Sequence, residues 1–237
     1  CLTMIVLVTT VVSCDSWLDL GSEDRIMENT LFSSQAGFMT ALNGVYIELN
    51  TNELYGRNLT AGALDVMGQY YSVASSSHAF YNYGGLVYTG NDEKALFDNM
   101  WQKCYAVIAC CNTIIEKCDE NKAGLSPVLK GAIKGEALAL RAMLHFDMLR
   151  LFGPLTSELD KESIPYQTNS DQTVTPLLSG SEVIGLILDD LKNAVGLLKD
   201  TDPYFVEEEF SDTDLNYRRS NFSLNRRSSM LSGKKRV

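Results

Sequence analysis

Tyr70, Tyr71, Phe80, Tyr81, Tyr83 and Tyr88 crowd into one stretch of the chain, with Gln69, His78, Asn82 and Asn91 between or beside them. Glycine and serine fill much of the remainder, and charges are few. Aromatic rings pack on flat apolar faces such as those of sugar rings, while amides and carboxylates bond surrounding hydroxyls. The composition is therefore suited to carbohydrate. It suits equally well a loop packed against its own domain or against a partner protein. Tyr70, Tyr71, Tyr81, Asn82, Tyr83 and Tyr88 are the candidate ligand contacts.

A second set of reactive side chains points to structure instead. Glu136, Arg141 and His145 sit in an otherwise apolar stretch, where an unpaired charge is costly. Glu136 and Arg141 are five residues apart and do not face each other on a helix. Each is expected to pair with a neighbouring helix, or with Asp147 and Arg150 on its own. General acid–base catalysis needs carboxylates converging in a cleft, and the sequence offers no persuasive pair, nucleophile motif or metal spacing. It therefore argues against an enzyme such as a glycoside hydrolase, and no cofactor is expected. His145 reads as a satisfied core histidine, and Trp101 and Tyr105 as scaffold rather than ligand platform.

Six cysteines could mark a disulfide framework, but their placement does not. Cys104, Cys111 and Cys118 are seven residues apart and share one helix stripe, as small buried apolar residues do. Cys14 is different. Leu2 to Val12 is an apolar and threonine run of about a dozen residues, too short for a bilayer span of roughly 20. It has the length of a signal-peptide core. Val11-Val12-Ser13-Cys14 then resembles a lipobox, in which the thiol receives diacylglycerol and the cysteine becomes the new N-terminus. Several acyl chains give stable anchoring where one gives only marginal binding. The expectation is a signal-peptide remnant over residues 1–13, lipidation at Cys14 and a polar, extended tether over 14–30.

Those side chains need elements to position them. A chain of 237 residues with 45% apolar content can bury a sizeable core. The net charge of −10 argues against nucleic acid as a partner. Phe38, Leu42, Val45 and Leu49 mark a helix over 31–49 by their spacing. Gly56 to Gly90 lacks helical period and reads as a long loop region. Asp92 to Asp119 is a strong helix, broken at Gly124-Leu125-Ser126-Pro127, with Ser126 as N-cap and Pro127 at the first position of the next. That helix runs over Val128–Phe152 and is apolar nearly all round, so it is expected at the centre. A polar connection follows, and then a helix over Ser181–Lys199 with Val183, Ile187, Leu191, Ala194 and Leu198 on one side. Pairs of antiparallel helices suggest tetratricopeptide-like packing with long irregular loops, an all-α domain over residues 31–200.

Three ordered blocks resemble the SusD/RagB family of nutrient-binding outer-membrane lipoproteins. The first is Cys14 followed by Trp17-Leu18-Asp19. The second is Trp101-x3-Tyr105-x2-Ile108-x3-Asn112-x-Ile114-Ile115. The third is Gly135-Glu136-Ala137-x3-Arg141-Ala142-x3-Phe146, ending in Phe152-Gly153-Pro154-Leu155, where the family usually has another residue before its proline. Ile164-Pro165-Tyr166 and the helix carrying Asp189-Asp190-Leu191 follow in order.

The resemblance implies a SusD-like helical protein that is lipid-anchored on the outer membrane and exposed at the cell surface. Such a protein captures oligosaccharides or other nutrients and hands them to a TonB-dependent, SusC-like transporter. A helical-repeat adaptor with only a protein–protein role is the alternative. The resemblance also implies a longer protein. Residues 201–237 turn acidic at Glu207-Glu208-Glu209 and then basic, with seven Lys/Arg and no acid after Tyr217. Read against the family, that tail suggests a truncated or frameshifted product.

Overall fold

A computed structural model describes residues 22–171 and 174–201, with side chains from residue 27 onward. The signal remnant, Cys14, Trp17-Leu18-Asp19 and the acidic-then-basic tail beyond Thr201 lie outside the described residues. The chain forms α1 (Ser22–Leu31), α2 (Gln35–Leu49), α3 (Ala63–Met67), α4 (Tyr81–Gly84), α5 (Asn91–Glu120), α6 (Pro127–Phe152), β1 (Glu162–Pro165), β2 (Leu177–Ser179) and α7 (Gly180–Leu198). Helix dominates, and the all-α reading stands with one short antiparallel ribbon added.

That ribbon pairs Glu162 with Ser179 and Pro165 with Leu177, with an irregular register between them. Strands of three or four residues are too short to show alternation, and Pro165 and Pro176 hide them further. The tether also differs from expectation. Residues from Ser22 are helical rather than extended, because α1 rests on α2 with Phe32 edge-on to Phe38 at 4.8 Å. Glu28 reaches Lys117 of α5 at 2.9 Å. A polar helix held by its last turn leaves little apolar period in the sequence. Between α1 and α2 the chain turns so tightly that a Cβ on Gly37 would lie 1.6 Å from the Leu31 carbonyl oxygen.

Local signals set the long helices. Asp92 and Glu93 stand in the first turn of α5, where carboxylates complement the helix dipole. Asn121 ends α5 in the left-handed region at φ 47° and accepts from Leu125 N through its side chain at 2.7 Å. Ser126 caps α6 as expected, accepting from Leu129 N at 3.2 Å with Pro127 next. Ser179 and Glu182 form a reciprocal capping box on α7.

Helix α6 is central, touching α2, α5, α7 and β1. Ile133, Leu144 and Met148 are fully buried, each worth about 1.5–3 kcal/mol against exposure. Helix α7 comes in closely because a Cβ on Gly135 would already meet Leu198 at 2.8 Å. Cys104, Cys111 and Cys118 are buried and free, as the stripe predicted, and burial pushes the Cys118 thiol up to about 12. Among the described residues, no helix is long and apolar enough to cross a membrane.

Candidate functional site

The aromatic stretch folds as turns around two short helices, α3 and α4. Gln69 follows α3 in the left-handed region at φ 60°, and its side-chain amide donates to Val66 O at 3.2 Å and to Gly84 O at 3.0 Å. One amide thus ties the end of α3 to the end of α4. Tyr71 Oη donates to Ala61 O at 2.5 Å, and Asn82 Nδ2 donates to Glu93 Oε1 at 2.8 Å. Leu86 is a second left-handed residue, at φ 54°. For residues other than glycine that conformation costs about 1–2 kcal/mol each and persists only where the surroundings hold it.

Candidate contacts separate cleanly here. Tyr70 is 83% exposed, Tyr81 42% and Tyr71 41%, with Leu86 and Val87 also at the surface. Tyr83 is only 2% exposed. Two residues apart on a helix are roughly 200° around the axis, so the single turn of α4 turns Tyr81 outward and Tyr83 inward. Tyr83 packs against Phe80, Tyr88 and Phe97 at ring distances of 5.8, 6.2 and 6.0 Å. Burial, with Glu93 and Asp92 nearby, pushes its phenol to about 12. Tyr83 is therefore a floor for the loop rather than a surface contact. Tyr88 is half-buried, edge-on to Phe97 at 5.4 Å.

The amides that looked available are mostly engaged. Gln69 and Asn82 bridge elements as described, and His78 Nδ1 accepts from Phe80 N at 3.1 Å. Asn91 stays exposed. Outward the loop offers the rings of Tyr70, Tyr71 and Tyr81 and the aliphatic Leu86 and Val87, among exposed serines, Gln69, His78 and Asn82.

From that floor a line of rings crosses the molecule. Phe97 meets Phe152 at 6.3 Å, Phe152 meets Trp101 at 5.0 Å, and Trp101 meets Tyr105 at 4.8 Å. Tyr105 meets His145 at 6.0 Å, and His145 stacks on Tyr166 at 3.9 Å. The scaffold reading of Trp101, Tyr105 and His145 is met in these contacts.

The line ends in a polar clamp on the chain that leaves β1. Tyr105 Oη donates to Pro165 O at 2.9 Å, and Asn112 Nδ2 donates to Gln167 O and Asn169 O at 3.1 and 2.9 Å. Gln167 N donates to His145 Nε2 at 3.0 Å. That bond places the ring proton on Nδ1, which donates to Arg141 O at 3.0 Å. Burial lowers the His145 pKa to about 4, so the ring is neutral at pH 7. Glu116 accepts from Ser170 N at 2.8 Å and from Ser170 Oγ at 2.5 Å.

Arg141 anchors the clamp. Its Nε and Nη2 donate to the two Asp190 oxygens, each at 2.7 Å, and Nη1 donates to Asn112 Oδ1 at 2.8 Å and Thr168 O at 3.3 Å. Tyr166 Oη donates to Asp190 Oδ2 at 2.6 Å. A planar guanidinium suits this bidentate geometry, which lysine could not reproduce. Arg141 thus pairs with the neighbouring helix, one of the two partners the sequence left open. Glu136 accepts from Tyr46 Oη on α2, and Asp147 accepts from Arg150 at 3.0 Å and Tyr55 at 2.5 Å.

Sequence reasoning gave no role to Asp190, Tyr166 or Asn112. One signal was present: Asp190 lies in register with Val183, Ile187 and Ala194 on the buried stripe of α7. A carboxylate there and an arginine on the apolar helix α6 are natural partners. Among the described residues, no group of three or more His, Cys, Asp or Glu side chains could hold a metal ion.

The chain matches the SusD-like family model described as starch-binding associating with outer membrane, over residues 16–212. It is similar to SusD-like protein P2 of Formosa agariphila, 27% identical over 159 residues, which covers 65% of this chain and 30% of that protein. A SusD-like protein of Bacteroides ovatus is 26% identical over 193 residues, or 78% of this chain and 32% of that protein. The chain therefore spans about a third of the length of these curated relatives. In fold it is similar to a SusD-like carbohydrate binding protein from Bacteroides vulgatus. The TM-score is 0.59 at 24% identity, over 76% of this chain and 37% of that one. A SusD superfamily protein from the same organism gives 0.53 at 19%, over 70% and 35%. With most of its length matched in sequence and its fold shared, the chain belongs to the SusD-like family.

Proposed function

We propose that the chain serves a glycan-capturing lipoprotein of the outer membrane, with Tyr70, Tyr71 and Tyr81 as its sugar-stacking surface. Three exposed tyrosines on a loop braced by Gln69 and Asn82 are the observation that carries this reading. The flat faces of hexose rings pack on such side chains, and a braced loop loses little conformational freedom on binding. Lipid at Cys14 holds the protein to the outer membrane at the cell surface, and the glycan passes to a TonB-dependent, SusC-like transporter. The protein binds without reacting: Asp147, Asp190 and Glu136 are buried and engaged in pairs that hold helices together.

A second reading gives the same loop face a protein contact, with the transporter as partner. Exposed Leu86 and Val87 beside engaged amides favour it.

The test is a glycan array and affinity electrophoresis on the full chain, beginning with α-glucans. Retention of at least one oligosaccharide class is expected, and failure to retain any would end the glycan reading. Capture of a large outer-membrane barrel without glycan retention would favour the second.

A further inference from the structure

We propose that the glycan taken by the loop is acidic, and that Arg57 pairs with its carboxylate or sulfate group. The inference rests on the loop being the glycan surface proposed above, and it adds the charge of the ligand. Between residues 56 and 90 the acidic and basic side chains are Arg57 and Asp65 alone. Arg57 is exposed. The other arginines with described side chains are committed to structure, Arg141 with Asp190 and Arg150 with Asp147. Among the described residues, Arg57 forms no ion pair.

The guanidinium is nevertheless held in place. Its Nε donates to Oδ1 of the buried Asn58 at 3.2 Å, and its central carbon lies 5.7 Å from the centre of the Phe80 ring, over its face. Its stem rests on Gly62, where a Cβ would meet Arg57 Cγ at 3.0 Å. One edge and one face are thereby fixed. Nη1 and Nη2 form no hydrogen bond among the described residues, which leaves the outer edge of N–H donors for a ligand. Such an edge matches two oxygens of a carboxylate or sulfate, and a guanidinium is more weakly hydrated than an ammonium. A neutral hydroxyl could use the same donors, but without the added strength of an ionised acceptor. Position ties this edge to the tyrosines. Gly62 O, under the Arg57 stem, accepts from Tyr71 Oη at 3.2 Å, and Phe80, under the guanidinium, precedes Tyr81. Arg57 is thus one residue removed from two of the three stacking tyrosines. His78 adds a donor beside them. Its ring lies 5.7 Å from Phe80, and because Nδ1 accepts from Phe80 N, the neutral ring carries its proton on Nε2. The net charge of −10 opposes an acidic ligand only at a distance, since salt at 0.1 M screens exposed charges beyond about 10 Å.

The test uses the full chain and matched ligands: an oligogalacturonate against its methyl ester, and a sulfated galactan oligosaccharide against its desulfated form. An α-glucan is the uncharged reference. In calorimetry or affinity electrophoresis, at least one acidic member should bind about tenfold more tightly than its uncharged counterpart. The pair that shows the preference separates carboxylate from sulfate. Arg57→Gln should bring that ratio close to one, and Arg57→Lys should restore only part of it, because an ammonium lacks the planar fork. A melting temperature within about 2 °C of the parent shows that the variants fold, and the comparison of ligands in the parent stands without them. Equal binding within both pairs, or an acidic preference that survives in folded Arg57→Gln, overturns the inference and leaves the glycan reading standing. Retention of no glycan, charged or uncharged, overturns both.

Discussion

The loop of residues 56–90 and the clamp on residues 165–170 place polar and aromatic side chains in opposite ways. In the clamp, Arg141, Asp190, His145 and Asn112 are buried and bonded, and the backbone they grip lies beside them. In the loop, Gln69 and Asn82 are bonded yet stay exposed, and Tyr70, Tyr71 and Tyr81 remain outside with them. Residues that look most like catalytic chemistry are thus structural, and in the function proposed above recognition falls to the exposed rings. The two regions meet through Phe97, Phe152, Trp101, Tyr105 and His145, which form the shared interior.

The sharpest break in this contrast is Asp190→Ala. It strands Arg141 and Tyr166 in a buried site and should cost about 3–5 kcal/mol, or roughly 10 °C in melting temperature. Replacing the pair together, Arg141→Met with Asp190→Leu, should recover part of that loss, since an apolar pair leaves no orphaned charge. Urea and thermal unfolding read both.

Tyr83→Ala comes next. Removing a ring that is 2% exposed should cost about 3 kcal/mol. Tyr83→Phe should cost far less, because the hydroxyl's contact with Asp92 O is long at 3.5 Å. Equal tolerance of alanine at Tyr83 and Tyr81 would erase the inward and outward division of α4.

A third effect is pH-dependent. His145 binds its proton near 6.5 in the unfolded chain and near 4 in the folded one. Between those values the unfolded state holds more protons, so stability is complete above about 6.5 and falls as pH drops toward 4. From pH 7 to pH 5 the loss should be about 2 kcal/mol. Urea midpoints across that range should show it, and His145→Phe should flatten the slope.

The smallest effect belongs to the outer loop. Tyr70→Ala should change unfolding free energy by no more than about 0.5 kcal/mol, as for most exposed positions. A larger loss in chemical denaturation would make Tyr70 part of the scaffold.

Much of this contrast could be read from residues. Ser126-Pro127 fixed the start of α6, and the three spaced cysteines marked the buried face of α5. Pairing was harder to read. Arg141 announced a need for a partner, but Asp190 lies 49 residues away on another helix, and only packing brings them together. Tyr81 and Tyr83 looked alike because no residue pattern marks the one helical turn between them. Helix α1 was concealed by its polar composition, and β1 and β2 by their length.

The most direct test is the affinity of the full chain for a glycan it retains, compared with Tyr70→Ala/Tyr81→Ala. Two lost stacking faces should weaken binding about tenfold, while the melting temperature stays within about 2 °C of the parent. Unchanged affinity in a folded double variant would contradict the account.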